Sequence, residues 1–339
     1  MARTQKKRSS SRPAKRAARA VDTSRFVDLA QQAIARVDGR SDEARRLIEP
    51  LERFRERNAP PYDPDERLVD YAREHGRLHL EASRRIGETL YGGSVDRQHD
   101  FLRPWSDVEL EALLAPRLNV FVPDRPGSTA EPSRRYALEW TDQKPDLNEF
   151  DPLAKASRWR DQVAIASKSE GRCVSRSSTN GDETDVQAGV GVLFQPSRRR
   201  GSLQFRALLL YEPWVSLSAD WPPLPPPQPI ATAQSYGAIR LVAQSWRATD
   251  AGDFRTDALR TIELWNHFVA TPDRLTGWNE SGIANPGSAG WLDVPADRSR
   301  IYALWVILRC WSRSTYSPPS LSSAIVTGLC QVPFMIVEH

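Results

Sequence analysis

His75 and His79 stand four residues apart on a stretch of helical period, with Glu74 and Glu81 beside them. That spacing projects two imidazoles from one helix face, where they could share a divalent ion. Gly76 weakens the helix between them and no third ligand can be named, so a partly exposed helix face is the better reading and no metal is assigned. Cys310 and His267 could form a nucleophile and base, but the pair has no local signature and needs a third, orienting group. Cys310 lies between Arg309 and Trp311 in a strongly apolar run, where a thiol behaves as a small hydrophobe. Asp182, Glu183 and Asp185 lack the twelve-residue calcium-loop pattern and read as a solvated tip after the Asn180-Gly181 turn. Gly189-Val-Gly191 sits inside an alternating strand with no third glycine, a sheet feature and not a phosphate cradle. Walker A, G-x-S-x-G, H-E-x-x-H and paired C-x-x-C patterns are absent from the sequence. The expectation is a non-enzymatic protein without a cofactor.

Two features point to binding. Trp278 and Trp291 flank a loop of small residues that cannot bury them by itself, so they could stack on a sugar, a base or a neighbouring subunit. The second feature is electrostatic. Residues 1 to 20 hold Arg3, Lys6, Lys7, Arg8, Arg12, Lys15, Arg16 and Arg19 and no acidic side chain, and the remainder has 39 basic against 43 acidic residues. A basic arm therefore precedes a mildly acidic body. Such a run, mixed with Ser, Pro and Ala, cannot offset its own ordering entropy and is expected to be disordered in isolation. Its natural partner is nucleic acid, bound through phosphates without sequence preference. The alternatives are a receptor-read address, since KKRSSSRPAKR carries two basic clusters, and a solvated tail.

The 339 residues are 40% apolar and 27% charged, the composition of a globular protein, with an unusual 26 prolines. No apolar window reaches the length of a membrane span and no h-region follows the basic start, which predicts an intracellular protein, cytoplasmic, or nuclear if the basic clusters are an address. Cys173, Cys310 and Cys330, odd in number and widely spaced, fit reduced buried thiols.

The elements divide the chain into an arm over 1–21, a helical segment over 22–118, a Pro-rich connector over 119–157 and a β domain over 158–339. In the helical segment Phe26, Leu29, Ala33 and Val37 share one face, and Ala44, Leu47, Ile48, Leu51 and Phe54 another, with Ser24 and Ser41 as candidate N-caps. A further stretch from Pro64 to Leu90 has the same period, and Ser106 to Glu109 has capping-box spacing. From Val186 the period becomes two, and the runs 186–194 and 203–211 read as a hairpin with the basic loop 197–201. Runs at 162–167, 238–246, 259–269, 300–311 and 324–337 complete about eight strands, without the helices of a parallel sheet. Asp220 to Pro229 is a stiff polyproline crossover, or less simply a ligand for a proline-binding partner. The runs 301–310 and 325–336 are apolar on both faces, so one sheet needs an outer cover, which the amphipathic helices can supply.

The fold expected is mainly β: an antiparallel β-sandwich, jelly-roll-like or another Greek key, preceded by a helical segment and a disordered basic arm. In architecture this resembles the plan of small icosahedral virus coat proteins. The resemblance rests on the first 20 and last 180 residues and on no motif, and the helical residues between them depart from the simplest plan. It implies an arm on nucleic acid, a β body making protein contacts, a homo-oligomer and no membrane. The rival readings are a glycan- or peptide-binding module working through Trp278 and Trp291, and a hydrolase on a β scaffold with His267 as base.

Overall fold

The computed structural model describes residues 39–57, 119–151, 156–197, 201–220, 231–284, 290–315 and 321–339, with single positions at 70, 74, 77, 78, 80–82, 84–86 and 88. The basic arm, the capping-box stretch, His75, His79, Arg198 to Arg200 and the polyproline run lie outside them.

Three antiparallel sheets make up most of this body, with strands numbered along the chain. The first has five strands, β2 (Leu138–Asp142), β6 (Glu183–Phe194), β9 (Thr232–Arg247), β10 (Asp250–Ala270) and β14 (Arg300–Ser314), in the order β10-β9-β14-β6-β2. The second runs β11-β8-β15-β5-β4-β3, from β3 (Leu147–Asp151), β4 (Ala156–Ser167), β5 (Arg172–Asn180), β8 (Leu209–Asp220), β11 (Arg274–Trp278) and β15 (Leu321–Gln331), with β12 (Gly282–Ala284) added on β8. The third, β1-β16-β7-β13, comprises β1 (Asn119–Phe121), β7 (Gly201–Ala207), β13 (Trp291–Ala296) and β16 (Met335–Glu338).

The sequence period decides which side chains enter the core. Along β14, Tyr302, Leu304, Val306, Leu308 and Cys310 are buried while Ile301, Trp305, Ile307, Arg309 and Trp311 on the opposite face keep part of their surface. The inner row meets Ile239, Leu241 and Ala243 of β9, Val190 and Val192 of β6, and Cys173 and Cys330 from the seven-stranded sheet. Each fully buried Leu or Val contributes about 1.5–3 kcal/mol of transfer free energy. Between the two large sheets the approach is close: the Ser175 hydroxyl donates to the Leu308 carbonyl at 3.2 Å, and the hydroxyls of Ser177, Thr184 and Ser312 bond to one another.

Several expectations need correction. The runs 186–194 and 203–211 do not form a hairpin: β6 pairs with β14 and β2, whereas β7 pairs with β13 and β16. Alternation fixes a strand's faces but does not encode its partner. Four consecutive buried residues, Ala207 to Leu210, break the alternation where the chain leaves one sheet for another. The Asn180-Gly181 turn, with Gly181 at φ +68°, likewise joins strands of different sheets. The segment 119–157 is more than a connector, since β1, β2 and β3 fall within it. Gln331 ends β15 and the run 324–337 splits there, its last part becoming β16.

Helical residues cover one sheet. The helix α1 (Gly39–Arg57) begins two residues before Ser41, so that serine is not its cap. Leu51 of α1 and Ile86 pack on Val174, Trp214 and Ile325, the outward residues of the seven-stranded sheet, with Leu47 and Leu78 alongside. Beneath this layer Arg176 and Asp161 form a buried ion pair at 2.8 Å. Burial pushes the Asp161 carboxyl above its usual range, against the pull of Arg176.

Candidate interaction surface

The five-stranded sheet presents its outer face differently. Register sets which residues stand there: Leu259 lies opposite Val242, Thr261 opposite Arg240 and Phe268 opposite Gln234, all in the row that alternates with the buried Ile239 and Leu241. Leu259 is 56% exposed and Phe268 61%; farther across the same face Trp140 and Leu193 are each 40% exposed. Phe254, 55% exposed, stacks on Trp246 at 6.4 Å. Exposed apolar side chains gathered on one sheet face are candidates for association.

Three of these residues, Phe254, Leu259 and Phe268, belong to β10, which is an edge strand of 21 residues. An edge offers unpaired backbone groups to another chain. Register shifts at 250–255, 256–258 and 263–265 interrupt β10, leaving Ala258 to Glu263 as a regular stretch.

The inner side of β10 holds the residues singled out for chemistry. His267 packs edge-on against Trp278, ring centroids 4.3 Å apart, and Trp265 lies 6.2 Å from Trp278. Desolvation holds the imidazole below its usual range, partly opposed by Glu280. The His267 Nε2 is buried without a hydrogen-bond partner. Trp291 sits under Arg260, whose guanidinium is 4.7 Å from the ring and donates to the Trp291 carbonyl at 3.1 Å. Arg260 and His267 lie opposite Leu241 and Ser235 of β9, six residues apart, so the two tryptophans belong to separate places about 20 Å apart along the strand.

Cys310 and His267 do not meet. His267 is opposite Ser235, Cys310 is opposite Gly237, and β9 separates their strands, with the Trp265 ring filling the space over Gly237. All three thiols are buried and free. Burial pushes Cys173 up to about 12 and raises Cys310 and Cys330 as well. The native protein at pH 8 is therefore expected to leave a disulfide thiol reagent unreacted, with three equivalents consumed in denaturant; consumption of one equivalent by native protein would contradict the burial.

The acidic cluster is engaged in structure. Asp185 receives a two-pronged bond from Arg309 at 2.8 and 2.6 Å, Asp182 pairs with Arg160 at 2.8 Å, and Glu183 accepts from the Trp311 indole at 3.0 Å. Among the described residues no three His, Cys, Asp or Glu side chains converge on a metal position, and no helix is long and apolar enough to cross a membrane.

Sequence reasoning did not find the exposed outer face. It takes the runs 259–269 and 300–311 as strands without saying which of their residues stay outside.

No family model matches the chain, and no curated protein matches it. Among solved structures, TmCBM61 in complex with β-1,4-galactotriose aligns at 9% sequence identity over 56% of this chain and 89% of that chain, with a TM-score of 0.15. A score that low carries no argument about this chain.

Proposed function

We propose that the chain is a non-enzymatic structural or binding protein: an antiparallel β-sandwich, jelly-roll-like or another Greek key, makes protein contacts that include self-association, and the basic arm holds nucleic acid. The observation that carries this reading is the placing of Phe254, Leu259 and Phe268, each more than half exposed, on the single edge strand β10. The late strands β14 and β15 enter between β9 and β6 and between β8 and β5, an interleaving in keeping with Greek-key connection. The arm's eight cationic residues, set before a body of net −4, concentrate the positive charge that a phosphate contact needs.

Light scattering on the full chain tests the contact. Self-association is expected, and Leu259→Glu with Phe268→Glu is expected to lower the mass to that of one chain, because each carboxylate would be desolvated in the contact. An oligomer that survives both substitutions would overturn the assignment to β10.

A further inference from the structure

We propose that the outer face of the five-stranded sheet, across β14, β6 and β2, binds a neutral saccharide chain, a role that goes beyond the contact made by β10. The starting point is a pair of glycines in a strand interior, where glycine is costly unless something must approach the backbone closely. Both Gly189 and Gly191 belong to the outward row of β6. A Cβ at 191 would stand 3.0 Å from the Trp305 ring and 2.7 Å from the Leu304 carbonyl, and one at 189 would stand 2.9 Å from Ile307. The side chains of Trp305 and Ile307 thus lean across β6, into space that any larger residue would fill.

On the other side of β6, register sets Trp140 opposite Gly189 and Leu138 opposite Gly191. Trp140 is 40% exposed, and Trp305 and Ile307 keep part of their surface open. The result is an apolar tract with two indoles, spanning three strands or about 10 Å.

One register step away the surface turns polar. Gln187 lies opposite Asp142, and Arg240 reaches across β14 to donate to the Gln187 amide oxygen at 3.5 Å. Donors and acceptors therefore border the rings at a spacing of about 7 Å, roughly two residues along a strand.

This combination selects the ligand. A polyanion is disfavoured because Asp142, Asp185 and Glu183 share the bordering rows and Arg309 is already neutralised by Asp185. A peptide strand gains little, since β14 and β6 are interior strands whose backbone groups are paired on both sides. A sugar ring offers what remains: polarised C–H groups for the electron-rich indole face and hydroxyls for the amide, guanidinium and carboxylate beside it.

Affinity electrophoresis of the full chain through gels containing hydroxyethylcellulose, xylan or dextran tests the proposal. Retardation by at least one polymer is expected, with about tenfold weaker binding in Trp140→Ala, a surface change that leaves the core intact. Gly191→Val, which displaces Trp305, should weaken it similarly. Deletion of residues 1–20, added salt and the Leu259→Glu, Phe268→Glu double substitution should leave it unchanged, which separates this site from both the arm and the β10 contact. No retardation by any of the three polymers, or retardation that persists in Trp140→Ala or disappears with the arm, would overturn it.

Discussion

Deletion of residues 1–20 is expected to remove nearly all of the salt-sensitive binding to unrelated DNA and RNA. If about six of the eight cations meet phosphates, the logarithm of the association constant falls with the logarithm of salt at a slope of about −5, and affinity drops by about a thousandfold between 50 and 200 mM. The truncated chain, with 39 basic against 43 acidic residues, is expected to show a slope near zero. Because the contacts are to phosphate and not to base edges, duplexes of different sequence should bind alike. Mobility-shift titrations at two salt concentrations measure both slopes. Equal slopes for the full and truncated chains would place the binding elsewhere.

Gly237→Ala is expected to be the most damaging single-methyl change in the β body. Gly237 of β9 lies directly opposite Trp265 of β10, and the position a Cβ would take is 2.1 Å from the indole. No rotamer adjustment of a few tenths of an ångström removes that overlap, so the ring must leave a cluster in which it packs with Val215, Val326 and Cys310. Overpacking and the lost burial together cost about 3 kcal/mol, a large share of the ~5–15 kcal/mol that holds a domain folded. Gly201→Ala, with nothing within 4 Å of the added atom, serves as the control and should be near neutral. Urea unfolding followed by tryptophan fluorescence reads both. A Gly237→Ala midpoint equal to that of the parent would show that Trp265 is not held where the structure has it.

The legible part of the fold was its local chemistry. The period of two in 186–194 marks the buried row of β6, Val186, Ala188, Val190 and Val192. The run 325–336, apolar on both faces, required an outer cover, and Leu51 and Ile86 pack on Ile325 within it. The pairing of strands was not legible. β14 joins β6 across more than a hundred residues, and no local signal records so distant a partner. The same blindness affected the sites. Trp278 and Trp291 drew notice as aromatic residues beside a small-residue loop, yet each packs against a different part of β10, against His267 and under Arg260. The outward face that carries Leu259, Trp305 and Trp140 was invisible for the opposite reason: its members come from three separate strands and share a face only once the sheet forms.

Hydrogen exchange along β10 tests most directly whether this strand is where chains meet. The amides of Ala258 to Glu263 that point away from β9 have no partner strand among the described residues, and they are expected to exchange slowly when the protein is concentrated enough to associate and quickly when it is dilute. Equal exchange rates in the associated and dissociated protein would contradict a contact made through this edge.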